Sequence, residues 1–423
     1  MKKRNKTLIY MCIALFLGYL PWYNFSAVSN YILKDLDLSV GDMGVILSIF
    51  QAGYVITVIF TGWLADRVGK KRVISWATLL TGIFSTLFVW FAKGFVSVMI
   101  LRLLTGLSAG AIFAPGMALL SDWFPKEERG KALGAYGGSL IVAFAGGYFV
   151  ASPLASYFSW EIGILATSLS VFIGSYILFY SIREPSEREK GIEENCERKE
   201  EKSAIKKAPE GSFKGPILVT TSYVGHMWEI YAFWGWIGPF LIACAYAVGY
   251  SEARAVLIGG RLAAFIILSG APASYLLGIV ADKLGRINTI ILCSISSLLA
   301  ELFFGYLYGN SLAIVAVIGF WIGFWGASDG GIYKVALTEM SLPRIRSTAL
   351  GIQSAIGFSA TIISPYVFGR LLEIFNENIS DPIKIKSWGI PFLIVGIVTL
   401  LAPISIYLLK RQPQSKLLAE GDD

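Results

Sequence analysis

Gly62-Trp63-Leu64-Ala65-Asp66-Arg67-Val68-Gly69-Lys70-Lys71 returns later in the chain as Gly278-Ile279-Val280-Ala281-Asp282-Lys283-Leu284-Gly285-Arg286. Gly, Asp, a basic residue, Gly and a basic residue recur at an offset of 216 residues. A second pair lies downstream. Asp122-Trp123-Phe124-Pro125 leads to Arg129-Gly130-Lys131-Ala132-Leu133-Gly134, and Glu339-Met340-Ser341-Leu342-Pro343 leads to Arg346-Ser347-Thr348-Ala349-Leu350-Gly351. The acid-to-Arg spacing is seven in both, at an offset of 217. Two matches at about half the length of a 423-residue chain imply a duplicated unit.

Each copy of the first stretch ends a long apolar run, and such runs fill the chain. Twelve can be marked: 8–30, 41–65, 73–92, 95–120, 131–157, 161–182, 215–246, 253–281, 288–308, 311–337, 347–375 and 388–409. Each is long enough to cross about 30 Å of hydrocarbon as a helix. Composition agrees, with 55% hydrophobic and 15% charged residues and a mean hydropathy of +0.63. Soluble domains average about 25% charged residues. These values exclude a soluble globular enzyme, a disordered chain and a nucleic-acid module. The fold class expected is an all-α membrane protein of twelve transmembrane helices. Residues 1–182 would form one six-helix bundle and 215–423 another. The stretch 183–214, dense in Glu, Lys and Arg, would be a charged cytoplasmic linker, too polar to fold alone. The basic start, Lys2 to Lys6, could introduce a signal peptide. The run behind it continues to about Leu33, longer than such peptides use, so it is read as the first span.

Net charge is +7, and the placement of the basic residues says more than their sum. With an even number of spans the termini share a side. That side carries 28 Lys and Arg and the other carries 6. The positive-inside rule then makes termini and linker cytoplasmic, in the cell's inner (plasma) membrane. Cys12, Cys196, Cys244 and Cys293 show no metal or disulfide spacing, and no Gly-x-x-x-x-Gly-Lys-Ser/Thr phosphate loop occurs. No cofactor, metal or nucleic-acid partner is expected.

The run Gly62 to Ile74 resembles the loop signature between helices 2 and 3 of the major facilitator superfamily, and Gly278 to Arg286 resembles its weaker second copy. Arg102-Leu103-Leu104-Thr105-Gly106, followed by Gly110, resembles the family's helix 4 signature. Gly225-His226-Met227-Trp228-Glu229 resembles prokaryotic members grouped with anion carriers. The resemblance implies two bundles around a central cavity, alternating access, and secondary active transport coupled to an ion. It also implies a gating role for Gly62, Asp66, Arg67, Gly69, Lys70, Lys71, Arg72, Asp122, Arg129, Asp282, Glu339 and Arg346, with Asp66 engaging Arg72 and Asp122. Helix 5 departs from the drug/proton antiporters. It has Gly137, Gly138, Gly146, Gly147 and Pro153 without their adjoining Gly-Pro.

Ionisable groups inside spans are expensive and read as functional. His226, the single histidine, and Glu229 share a face of the seventh segment and can exchange a proton near neutral pH. Asp329, flanked by Gly326, Gly330 and Gly331, is a second proton-coupling candidate or a salt-bridge partner of Lys334. Arg261 offers a bidentate fork to a carboxylate or nitrate-like anion, or snorkels to headgroups. Arg102 and Gly106 are assigned to packing or coupling. Trp22, Asn24, Trp228 and Trp325 are the chosen pocket-lining residues. Glu301 is placed near the end of a peripheral helix and given no role. The expected function is a monomeric, proton-coupled carrier of a small organic or inorganic anion, with symport favoured. Efflux of hydrophobic drug-like compounds and a transporter-fold sensor remain alternatives. An enzyme is not expected, since a membrane-embedded one should show clustered His or acidic metal ligands and the chain has a single histidine.

Overall fold

The computed structural model describes residues 3–185, 213–341, 345–377 and 381–418. Most of the charged linker, with Cys196, lies outside them. Among the described residues there is no strand, and twelve helical spans are long and apolar enough to cross a membrane. They are α1 (Lys3–Asp35), α2 (Val40–Val68), α3 (Lys70–Phe91), α4 (Phe95–Trp123), α5 (Glu128–Tyr157), α6 (Trp160–Tyr180), α7 (Lys214–Ala247), α8 (Glu252–Leu284), α9 (Arg286–Leu307), α10 (Leu312–Met340), α11 (Thr348–Phe375) and α12 (Gly389–Lys410). All twelve expected segments are present. Several extend further than their apolar runs, because polar residues such as Lys3 to Lys6 continue the helix beyond the hydrocarbon.

The duplicated loop owes its glycines to geometry. One residue, Gly69 at φ 101°, separates α2 from α3, and Gly285 at φ 83° separates α8 from α9. Positive φ costs glycine little and side-chain-bearing residues more. Gly69 cannot cap α3 with a side chain, and Glu184 does so instead, accepting from Lys71 N at 2.8 Å. On the other face of the molecule α2 opens with a capping box, Ser39 Oγ accepting from Asp42 N at 3.0 Å and Asp42 Oδ2 from Ser39 N at 2.9 Å.

Five spans are interrupted, which the apolar runs did not reveal. The breaks in α4 (110–112) and α10 (327–329) lie 217 residues apart, the repeat offset. Backbone groups freed at such breaks need partners inside hydrocarbon. Tyr19 supplies one, donating its hydroxyl to Ala109 O at 2.9 Å. Helix α7 sits most centrally among the spans: 89% of its most apolar stretch is buried, against 44–61% elsewhere.

The first six spans meet the last six through α2 on α11, α5 on α8 and α1 on α7. Contact is closest on the face opposite the chain termini. A Cβ on Gly44 of α2 would lie 2.9 Å from Pro365 O and 3.1 Å from Gly369 Cα of α11. Towards the termini face, a Cβ on Gly134, Gly137 or Gly138 of α5, or on Gly331 or Gly351 of α10 and α11, would meet nothing within 4 Å. The two sets are sealed on one face and spaced apart on the other.

This asymmetry predicts unequal tolerance of bulk. Gly44→Leu should lower stability by about 1–3 kcal/mol, the usual cost of overpacking. Gly138→Ala should stay within about 0.5 kcal/mol. Melting of the detergent-purified variants checks both, and equal melting temperatures would contradict the packing described.

Candidate functional site

Arg102 lies in α4 with only 4% of its surface exposed. Its guanidinium donates to Pro21 O and Trp22 O of α1, each at 3.1 Å. These carbonyls have a second lone pair to offer even where they serve the helix. The charge also lies over the rings of Phe50 at 4.3 Å and Phe25 at 5.5 Å, a cation–π arrangement. Among the described residues no carboxylate is within ion-pair distance of Arg102, and its Nε has no partner. Two small clefts meet at this side chain. One is bounded by Asn24, Ser85, Thr105 and Ile164, the other by Trp22, Tyr23, Gln51, Tyr231 and Pro365. The second cleft lies between the two sets of spans. Around it Trp22 Nε1, Tyr23 Oη, Gln51 Oε1 and Trp234 Nε1 are buried without hydrogen-bond partners. Buried polar atoms are normally paired. Here several unpaired ones surround one unpaired cation.

The remaining sequence candidates separate into groups. Trp22 packs against Tyr19, Phe50, Tyr54 and Phe144 and lines the Arg102 cleft. Asn24 lines the other cleft and donates to Thr167 Oγ1 at 2.9 Å. Gly106 allows α4 to lie directly on the α2 backbone at Phe50. Arg261 is a correction. It is exposed on a stripe of α8 shared with Phe265 and Leu268, so its charge does not enter either cleft. An apolar stripe of this kind suits lipid, and the long side chain can snorkel from it. Trp325 is also displaced from the expected pocket. Its ring contacts are Trp321, which is exposed, and Phe324. Trp228 is half-buried, its Nε1 unpartnered, and borders neither cleft. Gln51 was missed, and Tyr23 and Tyr231 belong to the aromatic sets of the first and seventh segments from which other residues were chosen. An amide in the middle of an apolar span was the available signal for Gln51.

A second polar cluster occupies α7, α9 and α10. His226 Nδ1 lies 2.8 Å from Asp329 Oδ1, both buried. The partner of His226 is thus on α10, where the α7 spacing had suggested Glu229. Asp329 stands at the α10 break, at the start of the segment Gly330–Met340, where a helix dipole favours a carboxylate. Glycines make room for this crossing. A Cβ on Gly330 would come within 3.1 Å of His226 Nε2, and one on Gly326 within 3.3 Å of Glu229 Oε1. Lys334 does not pair with Asp329. It donates to Ser354 Oγ at 2.8 Å and lies over the Tyr223 ring at 4.2 Å. Glu229 is 2% exposed and its Oε1 has no hydrogen-bond partner.

The loop motif shows its duplication in its bonds. Lys70 Nζ pairs with Asp122 at 2.6 Å, and Arg286 pairs with Glu339 at 3.4 Å and with Asp282 at 2.5 Å. Arg129 Nε donates to Phe124 O at 3.4 Å, and Arg346 Nε to Ser341 O at 3.2 Å, five residues back in both cases. Arg67 lies over the Trp63 ring at 4.3 Å, and the Lys71 amide serves Glu184. Asp66 and Arg72 are exposed, and Asp122 is engaged by Lys70 where Asp66 was expected. Gly62 faces open space. Asp66 projects from the last turn of α2, while Lys70, beyond the Gly69 turn, points across to α4.

The buried His226–Asp329 pair is testable by a double-mutant cycle. Asp329→Leu alone should cost about 3–5 kcal/mol, and His226→Leu alone a similar amount, since each strands a polar partner in the interior. His226→Leu with Asp329→Leu should recover part of that loss, with a coupling of about 0.5–3 kcal/mol measured from melting. Strict additivity would show that the two side chains do not interact.

Comparison with known proteins places this geometry. The Major Facilitator Superfamily family model matches residues 11–328 and 230–423. The hexuronate transporter of Bacillus subtilis (strain 168) is 25% identical over 244 residues, 57% of each chain. The alignment thus spans little more than half the length of that relative. The probable galactarate/D-glucarate transporter GarP of Escherichia coli (strain K12) is 23% identical over 412 residues, covering 89% of this chain and 90% of that one. A solved bacterial homolog to the human lysosomal transporter Spinster, in an inward-facing and unoccupied conformation, shares the fold. Its TM-score is 0.78 at 14% identity, over 100% of this chain and 99% of that one. The spans, the duplicated loop and the family match agree: the chain is a multi-pass membrane protein that belongs to the Major Facilitator Superfamily.

Proposed function

We propose that this protein is a proton-coupled carrier of hydroxylated organic anions, with Arg102 receiving the substrate carboxylate. The observation that carries this reading is the buried guanidinium without a carboxylate partner. Burying an unpaired charge is costly, and an incoming anion would offset that cost. Tyr23 Oη, Gln51 Oε1 and Trp22 Nε1 supply a neutral donor and acceptor set beside it, suited to hydroxyl groups. The names of the relatives, carriers of hexuronate and of galactarate or D-glucarate, are of this chemical class. An inorganic anion would have no use for the neutral set. A lipophilic cation would be repelled by Arg102.

In the same reading, residues 1–182 and 215–423 act as two six-helix units joined by the linker 183–214. They rock about the substrate, monomer by monomer. The spaced face would be cytoplasmic, with both termini, in the inner (plasma) membrane. Asp66 and Arg72, exposed while that face is open, would find partners when it closes. His226, Glu229 and Asp329 would take up and release the coupling protons, driving import by symport. No cofactor is needed.

Uptake into proteoliposomes under an imposed pH gradient tests the reading with sugar acids, neutral sugars and lipophilic cations. Arg102→Gln should reduce sugar-acid uptake about 10–100-fold, the worth of a charged hydrogen bond. Arg261→Gln should stay within about twofold of wild type, with melting confirming that both variants are folded. Sugar-acid uptake that survives Arg102→Gln, or disappears in Arg261→Gln, would overturn the assignment.

A further inference from the structure

Arg254 and Arg261 stand on the unbroken first segment of α8, Glu252–Leu268. Their separation is about two turns, so both lie on one face, about 10 Å apart along the axis. Both are exposed, and the same stripe continues through Phe265 and Leu268. Among the described residues neither guanidinium has an ion-pair or hydrogen-bond partner. The acid of the first turn, Glu252, is engaged by Lys34 of α1 at 3.5 Å.

The depth of this stripe follows from helix length. Counting about 20 residues for 30 Å of hydrocarbon from Asp282 and Lys283, at the far end of α8, puts the other hydrocarbon boundary near Arg261. Arg254 then stands in the headgroup layer and Phe265 in the hydrocarbon. A side chain as long as that of Arg261 reaches outward to the phosphates. Below the arginines the stripe meets α5. Phe265 lies edge-on to Phe149 at 6.4 Å, and the two residues are 57% and 52% exposed. One ring comes from each set of spans, and together they form an open apolar wall. Nearer the arginines the seam between α5 and α8 is tight. Ser156 Oγ donates to Ala253 O at 2.7 Å, and a Cβ on Gly260 would overlap Ser152. The two cations are therefore carried on a fixed joint, which lowers the cost of ordering them around a ligand.

We propose that this seam binds one anionic phospholipid on the sealed face, its phosphate between Arg254 and Arg261 and an acyl chain along Phe265 and Phe149. Two unpaired guanidiniums above an apolar wall match an amphiphile with a negative head. Each guanidinium offers a phosphate a bidentate fork. A zwitterionic lipid carries a cation beside its phosphate, which a pair of arginines repels. A free phosphate has no chain to lay on the aromatic wall. The lipid would touch both sets of spans at once. The site is independent of the substrate reading, since Arg261 is turned away from the clefts at Arg102.

Native mass spectrometry of the detergent-purified full chain tests the site, with phosphatidylglycerol titrated beside phosphatidylcholine of the same chains. The wild type should retain one more phosphatidylglycerol than a variant carrying both Arg254→Gln and Arg261→Gln. Each single variant should hold that lipid about fivefold more weakly, the usual contribution of one arginine near an anionic headgroup. Lys93→Gln, which removes an exposed cation on the same face but away from the seam, should match the wild type. All variants change exposed side chains and should melt like wild type in lipid-free detergent. Wild-type retention by the double variant, equal retention of phosphatidylcholine, or an equal loss in Lys93→Gln would overturn the site. Displacement of the lipid by glycerol phosphate at equal concentration would show a site for a free anion and overturn the lipid assignment. Sugar-acid uptake is not read in this experiment, so the lipid site and the substrate proposal fail separately.

Discussion

A guanidinium buried in a membrane protein without an acid beside it sets the terms for the rest of this molecule. Arg102 is held by two carbonyls of α1 and by the faces of Phe50 and Phe25. These contacts orient the charge and leave it uncancelled. The neighbouring helices are fixed by contacts of their own. Tyr19 ties α1 to the α4 break, Gly106 lets α4 lie on α2, and α7 closes the cleft from the other set of spans through Tyr231. The same low-dielectric surroundings that make the charge expensive make an anion placed against it well held.

The cation and the acids occupy different places. Arg102 stands among α1, α2 and α4, while His226, Glu229, Asp329 and Glu301 stand among α7, α9 and α10. In the proposed reading, a proton taken up by the second cluster would not neutralise the first directly. Coupling between them would pass through the packing of α7, which carries both Tyr231 beside the cleft and Glu229 in the second cluster. Contacts such as Tyr148 Oη to Trp234 O at 2.9 Å and Trp236 Nε1 to Pro365 O at 3.2 Å join α7 to α5 and α11.

Fold and site were legible in the chain to different depths. The loop copies and the apolar runs report backbone requirements, a one-residue turn at positive φ and a membrane-length helix, and such requirements are local. The pairing Lys70–Asp122 and its counterpart Arg286–Glu339 follow the repeat for the same reason. Which way a side chain faces is not local. Arg261 and Arg102 look alike as single charges in apolar runs, and only the packing of α8 against α5 and of α4 against α1 and α2 tells the exposed one from the buried one. Trp325 likewise meets Trp321 and Phe324 and borders neither cleft, which its place in the run does not reveal. Glu301 seemed peripheral because it lies near the end of its run, yet α12 and the α10 crossing bury it completely. Gln51 was visible as an amide in a hydrophobic stretch, a signal of the same kind as the charges that were noted.

Binding to purified protein tests the central claim most directly, before transport or protons enter. Melting is followed with a hydroxylated dicarboxylate and with the uncharged polyol of equal chain length, in wild type and in Arg102→Gln. A ligand that binds only the folded state raises the melting temperature with concentration. The account predicts a rise with the dicarboxylate in wild type, little with the polyol, and none with either in Arg102→Gln. An equal rise with the polyol, or a dicarboxylate effect that persists in Arg102→Gln, would show that the buried guanidinium is not where the anion binds.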